Sequence, residues 1–78
     1  MTRRQLQVLK MMRDGDFELV YEHGLCYVEN ERISKGTFIV LLAACALRHD
    51  PYSAGPDEGL EIYSINETGK NILKEAGW

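Results

Sequence analysis

The sequence lacks the marks of a secreted or membrane-inserted protein. Only two of its 78 residues are cysteines, Cys26 and Cys45, too few for the disulfide framework of a small secreted domain. The first ten residues are polar and basic, without the apolar run and cleavage site of a signal peptide. The longest apolar run, residues 38–47, has about half the length that a membrane span needs. We expect a cytoplasmic protein with reduced thiols.

The sequence also lacks a basic excess and a recognisable catalytic motif. Twelve acidic residues outnumber nine basic ones, giving a net charge of −3, whereas proteins that read duplex DNA depend on cationic contacts with phosphates. There is no glycine-rich phosphate loop and no nucleophile elbow, and no base is evident for Ser34, Ser53 or Ser64. We predict that the chain is not an enzyme and binds no cofactor.

What the sequence does have is the composition of one small folded domain. Its residues are 45% hydrophobic and 27% charged, which is ordinary for a soluble globular protein. A chain of this length has room for one core, so residues 1–78 are assigned to a single domain. A domain this small buries a little over ~60% of its unfolded surface, which leaves little apolar area for a deep pocket.

The first segment predicts a helix over residues 2–13. Thr2 and Gln5 have the spacing of a capping box, and apolar residues follow at helical intervals. Asp14-Gly15 is expected to end the helix, with Gly15 taking a positive φ.

The next segment predicts a β-hairpin. Residues 17–22 alternate between apolar and polar side chains, which is typical of a strand with one buried face. His23-Gly24 suits a two-residue turn into a second strand, residues 25–28. Residues 29–32 are interpreted as a charged turn.

The apolar run predicts a second helix that forms the centre of the core. Ser34 is a suitable cap, and the helix is expected to run to about Arg48. Residues 38–47 are apolar on nearly every side, which is typical of a buried helix. This helix is therefore predicted to be unavailable for reading bases, so partner contacts must come from the charged periphery.

The last part predicts a strand and a helix. Residues 52–59 are interpreted as a loop, residues 60–65 as a strand, and Asn66 as the cap of a final helix that Gly77 closes. Gly69 lies in the first turn of that helix, where a bare backbone permits close packing. The predicted fold is α+β and winged-helix-like, with the order helix, hairpin, helix, strand, helix.

Several segments carry a resemblance to a known family. They are Gln5 to Leu9 leading into Gly15, the hairpin, Thr37-Phe38, and Tyr63-Ser64-Ile65-Asn66 with Gly69. With them the chain resembles the YjhX-like family of small toxin-like bacterial proteins and related short proteins of phage and prophage regions. The resemblance implies a winged-helix-like (helix-turn-helix-like) fold and an interaction or inhibitory role. The hairpin and the acidic loop over residues 50–59 depart from the family pattern, so no particular target is implied.

An acidic hairpin is the first predicted partner-binding surface, formed by Glu18, Glu22, Glu29 and Glu31. A field of one sign speeds encounter with a basic protein surface and repels nucleic acid, although a solubilising face would have the same composition. We predict a non-enzymatic phage- or prophage-type inhibitor or regulator of a host protein or protein complex. An anti-CRISPR inhibitor of host defence would fit this size and charge, and the chain is expected to be a monomer or a homodimer.

The alternative prediction is a winged-helix DNA-binding transcriptional regulator. It would contact nucleic acid through Arg3, Arg4, Lys10 and Arg13 of the first helix, and through residues 52–59 as a wing. A solvated helix face would have the same residues.

A zinc site is a less favoured hypothesis. His23, Cys26, Cys45 and His49 have spacings close to those of Cys2His2 sites. However, His23 is predicted in a tight turn and Cys45 at a core position of the second helix. Buried thiols and ordinary surface histidines are therefore preferred, with no metal.

Overall fold

The structure, a computed structural model, describes residues 1–50 and 60–78, so the predicted loop and wing over residues 52–59 lie outside the described residues. The described part contains three helices and five strands. In chain order they are α1 (Arg3–Gly15), β1 (Leu19–Glu22), β2 (Leu25–Val28), β3 (Glu31–Ile33), α2 (Lys35–Ala43), β4 (Leu47–His49), β5 (Leu60–Ile65) and α3 (Glu67–Glu75). The predicted α+β class is confirmed.

The five strands form one antiparallel sheet in the order β3-β2-β1-β5-β4. Leu19 of β1 lies opposite Val28 on one side and Tyr63 on the other. Residues that lie opposite each other share a face, and this face is buried together with the apolar sides of the helices. Val20 and its cross-strand neighbours project from the other face. The domain therefore has two layers, with the helices on one side of the sheet.

The predicted start of α1 is confirmed. Thr2 Oγ1 accepts from the Gln5 N–H (3.3 Å), and Gln5 Oε1 accepts from the Thr2 N–H (2.8 Å). The predicted role of Gly15 is wrong, because the residue with a left-handed backbone is Asp16 (φ 53°). Gly15 instead allows a close approach: a Cβ there would lie 2.3 Å from the Phe17 ring.

The β1–β2 hairpin is confirmed, with its first strand starting at Leu19 instead of residue 17. His23 (φ 51°) and Gly24 (φ 80°) are both left-handed, as a two-residue turn that follows the strand twist requires. Residues 29–32 are predicted as a turn, but only residues 29 and 30 form one. Glu31 pairs with Val28, so this segment leads directly into the edge strand β3.

The prediction that α2 runs to about Arg48 is wrong. The helix ends at Ala43, and Cys45 takes a left-handed conformation (φ 57°). Leu47 and His49 then pair with Ile65 and Tyr63 of β5. Sheet pairing with the next strand, β5, outweighs the helical preference of this apolar run.

The final strand and helix are confirmed. β5 covers the predicted residues, Asn66 caps α3 by accepting from the Gly69 N–H (2.9 Å), and Gly77 has a φ of 77°. With β3 and β4, the observed order becomes helix, three strands, helix, two strands, helix, so the predicted order is wrong by two strands.

Candidate protein-interaction surface

One side of α2 is open to solvent although it is apolar. Thr37, Phe38 and Leu41 are buried. The side chains of Ile39, Val40 and Leu42 have exposed fractions of 53%, 37% and 37%. The prediction of a helix buried on every side is therefore wrong. In a two-layer domain a helix packs on the sheet with one side, and no other described element covers the far side of α2.

This open side of α2, here called the α2 face, has little polar chemistry. It comprises Lys35, Gly36, Ile39, Val40, Leu42 and Ala43, all of which are exposed. Lys35 is its only charged side chain, and it has no amide side chain or arginine that could read a base edge. The α2 face is therefore suited to an apolar partner surface, not to the polar groove of DNA.

Aromatic packing fixes α2 on the sheet. The Phe38 ring stacks on Tyr21 of β1, with centroids 5.1 Å apart, and meets Tyr63 of β5 edge-on at 5.4 Å. The Ser34 hydroxyl accepts from the Thr37 N–H at 3.1 Å and caps the helix. These contacts anchor the buried side of α2 and so hold its open side in a constant orientation.

The turn after α2 is tied to the start of α3. The Asn66 amide Nδ2 donates to the Cys45 carbonyl at 2.8 Å, and the Asn66 N–H donates to the Ala46 carbonyl at 3.2 Å. Asn66 thus caps α3 and secures the end of α2 at the same time.

Two titratable groups beneath the helices, Tyr63 and Cys26, are held in their neutral forms. Burial raises the pKa of Tyr63 to about 12, with a smaller contribution from its hydrogen bond to Glu61 Oε2 at 2.9 Å. Burial also raises the pKa of Cys26 to about 11. Neither group is ionised near neutral pH, so this thiol is a packing group and not an activated nucleophile.

Three of the four predicted acidic residues lie at one end of the hairpin, and the fourth lies at the other end. Glu22 lies beside the His23 turn, with its Oε1 3.6 Å from the ring nitrogen Nε2. Glu29 and Glu31 lie at the opposite end of β2. Glu31 Oε1 is 2.9 Å from Arg4 Nη1, while Glu18 is exposed just before β1. Glu18, Glu29 and Glu31 therefore lie close together in the sheet register, Glu22 lies apart from them, and Glu31 is paired with α1.

Most of the predicted basic residues make contacts within the domain. Arg4 pairs with Glu31, and Arg13 binds both Asp14 Oδ1 (Nε, 2.7 Å) and the main-chain oxygen of Trp78 (Nη2, 2.8 Å). The hydrogen bond from Arg13 lowers the pKa of Asp14.

The other two basic residues of α1 differ from each other. Lys10 Nζ lies 6.0 Å from the centre of the Trp78 ring. Arg3 is exposed and forms no ion pair within the described residues. Of these four basic residues, Arg3 is thus the one whose charge is not explained by a contact in the described part of the chain.

The four predicted zinc ligands are not brought together. Cys26 is buried in the core, whereas His23 lies in an exposed turn. The predicted core position of Cys45 is wrong, because this residue is exposed beyond the end of α2. His49 lies on β4, so it is not one helical turn away from Cys45. Residues 1–50 and 60–78 contain no group of three or more potential metal ligands.

Two open grooves flank α1 and α3. The first, about 470 Å³, runs along the outer side of α1 beside Met11 and Phe17. Its carboxylates, Asp14 and Glu31, are already paired with arginines. The second, about 510 Å³, lies between Arg48 and the first turn of α3. Neither has a buried polar group without a partner in the described residues.

Sequence reasoning missed the α2 face because it treated residues 38–47 as one helix. The sequence has little to mark the end of the helix: Ala43-Ala44-Cys45-Ala46 is a run of small residues, and Leu47-Arg48-His49 is too short to show the alternation of a strand. A helix that ends at Ala43 has fewer turns, so fewer of its side chains need to lie in the core.

Comparison of the chain with protein-family models, curated proteins and solved structures found no match. The resemblance to YjhX-like proteins therefore stays a prediction. Within the described residues, no helix combines the length and the apolar character needed to cross a bilayer.

Proposed function

We propose that this protein is a non-enzymatic interaction domain that binds a protein partner through the α2 face. The observation that supports this most strongly is the exposure of three large apolar side chains, Ile39, Val40 and Leu42, on one helix. Scattered exposed apolar residues are normal, but contiguous ones often mark a contact site. Burial of these side chains in a partner would release ordered water and favour association.

The type of partner follows from the chemistry around this face. A mostly uncharged helix side with branched side chains fits an apolar patch or groove on another protein. The net charge of −3 would favour encounter with a host protein that is basic around that patch. The small size and the resemblance to phage and toxin-like proteins support an inhibitor or regulator of a host complex, including an anti-CRISPR type.

A capture experiment tests the use of the α2 face. The tagged chain, its Ile39→Glu variant and its Leu25→Glu variant would each be incubated with a lysate of the organism that encodes it. Leu25 is the control because it is also a large, exposed apolar residue (37%, against 53% for Ile39) but lies on β2. We expect Ile39→Glu to reduce the captured partner at least about tenfold, since a charge in the contact centre must be desolvated. Equal capture by Ile39→Glu and the unchanged chain would contradict the proposal.

DNA regulation is the second candidate, favoured by the exposure of α2 and by Arg3, which is exposed and has no ion pair among residues 1–50 and 60–78. It predicts a salt-sensitive gel shift that weakens when Arg3, Arg4 and Lys10 are replaced by alanine. The α2 face itself would offer DNA little beyond Lys35 and apolar contact with thymine methyl groups. Absence of any shift at ~50 mM salt would exclude this candidate.

A further inference from the structure

We propose that two copies of the chain pack their α2 faces against each other, with the two α2 helices antiparallel, when no other partner is bound. The inference rests on the proposed function in that the same face is used. Its evidence lies in three features of α2: the position of Lys35, the small residues near both ends, and the scarcity of charge.

Lys35 is placed unfavourably in a single copy. It is the first residue of α2, where the helix dipole is positive, and the first turn contains no acidic residue. The last turn, where the dipole is negative, contains no basic residue. In an antiparallel pair each Lys35 lies beside the C-terminal end of the other α2, where a cation is favourable. Association would therefore place a positive charge at the C-terminal end of each α2, where a single copy has none.

Small residues near the two ends allow the helices to approach closely. Gly36 and Ala43 lie one turn before and one turn after the central residues Ile39 and Val40. A Cβ at Gly36 would have no atom within 4 Å, so the space outside it is open. A two-fold axis makes the contact self-complementary and places each Gly36 near Ala43 of the second copy. The central apolar side chains then fill the space between the backbones.

The charge of the whole chain does not prevent this contact. Each copy carries a net charge of −3, but the α2 face contributes only Lys35. Antiparallel packing keeps the two Lys35 side chains at opposite ends of the contact. The repulsive acidic residues of the β1–β2 hairpin and its flanks lie outside the contact.

The size of the face predicts a weak dimer. α2 has nine residues and is about 14 Å long, so the contact is smaller than the ~1,200 Å² of a stable interface. We expect a dissociation constant on the order of 100 µM. Such a dimer would protect the apolar side chains at high concentration and release them to a tighter partner.

Sedimentation equilibrium of the pure chain between about 5 µM and 1 mM, concentrations that bracket the expected constant, tests the inference. The unchanged chain is expected to shift from monomer to dimer. Ile39→Glu should remain monomeric, and Leu25→Glu should dimerise like the unchanged chain. Lys35→Glu should weaken dimerisation about tenfold, and yet raise the urea midpoint of the monomer, because an acidic residue suits the start of a helix. These opposite effects would not arise from general loss of structure.

A monomer throughout this concentration range would overturn the inference, as would a dimer unaffected by Ile39→Glu. Circular dichroism of each variant confirms that it is folded. The result is independent of the capture experiment, because a chain that stays monomeric can still lose its partner through Ile39→Glu. Failure of the dimer and failure of the proposed function are therefore distinguished.

Discussion

At the residue scale, Gly69 and Gly36 show two different uses of glycine in helices. Gly69 is buried in the first turn of α3, where a Cβ would lie 2.6 Å from the Ala46 carbonyl oxygen and 2.7 Å from Ile65 Cγ1. Gly36 faces open space in the first turn of α2. Packing requires the first glycine, whereas nothing around the second requires one.

These environments predict opposite effects of the same substitution. Gly69→Ala should lower the free energy of unfolding by about 1–3 kcal/mol, because α3 must move away from the Ala46 carbonyl and from Ile65 of β5. Gly36→Ala should raise it by up to about 1 kcal/mol, since alanine has the higher helix propensity. Urea unfolding at low protein concentration measures both. An unchanged free energy of unfolding in Gly69→Ala would show that the surrounding residues can move to accommodate the added methyl group.

Two buried groups give the stability a defined dependence on alkaline pH. Folding raises the pKa of Cys26 from 9.0 to about 11 and that of Tyr63 from 10.0 to about 12. The unfolded chain then loses these protons at lower pH than the folded chain, so it binds fewer protons in this range. The free energy of unfolding is therefore expected to fall as pH rises from about 9 to 12, with the full contribution present below pH 9.

Urea titrations at a series of alkaline pH values measure this slope. Tyr63→Phe should flatten the upper part of the profile and Cys26→Ala the lower part. A profile unaltered by both substitutions would mean that other groups cause the alkaline loss of stability.

At the scale of elements, Asn66 joins α2 and α3 through one side chain. Its oxygen caps α3, and its nitrogen binds the carbonyl of Cys45 beyond the end of α2. Asn66→Ala is expected to cost about 1–3 kcal/mol, because loss of a cap alone costs up to about 2 kcal/mol. Asn66→Asp keeps the acceptor and lacks the donor, so we expect an intermediate loss in urea unfolding. If Asn66→Asp is as stable as the unchanged chain, the bond to Cys45 contributes nothing.

The elements that sequence reasoning predicted are those with local signals. The Thr2–Gln5 capping box, the His23-Gly24 turn and the Asn66 cap each satisfy backbone groups within a few residues of the chain. β3 and β4 are different, because each has three residues and depends on pairing with a neighbouring strand. Their short segments contain no local pattern strong enough to distinguish them from turn or helix.

The candidate surface on α2 differs from the surface that the sequence predicted. Composition and charge favoured a protein partner, and the acidic residues of the hairpin were the obvious surface. Periodicity cannot tell which side of an apolar helix is covered, since that depends on how many layers the domain has. Ile39 was therefore assigned to the core, although it is the most exposed of the large apolar side chains on α2.

At the scale of the whole molecule, the last residue is tied back to the first helix. The Trp78 N–H donates to the Leu73 carbonyl (2.9 Å), and its main-chain oxygen accepts from Arg13 (2.8 Å). Lys10 lies over its ring. These contacts close the helical layer by joining α1 to the end of α3.

Arg13→Ala is expected to loosen this junction at a cost of about 0.5–1.5 kcal/mol, the usual value of one hydrogen bond. Trp78 is the only tryptophan in the chain, so its fluorescence should shift to longer wavelength as the ring gains water. Arg3→Ala removes a basic residue of the same helix without such a contact and serves as the control. An unchanged spectrum in Arg13→Ala would show that the ring is held by packing alone.

The position of β1 in the middle of the sheet has a consequence for synthesis. Its two neighbours are the next strand, β2, and the much later β5. Until β5 has been synthesised, the backbone N–H and C=O groups on one side of β1 have no partner. Such an unpaired strand edge can pair with other chains and start aggregation. We expect a chain truncated after His49 to aggregate and scatter light under conditions in which the full chain stays clear. A clear solution of the truncated chain would show that the open edge of β1 is protected without β5.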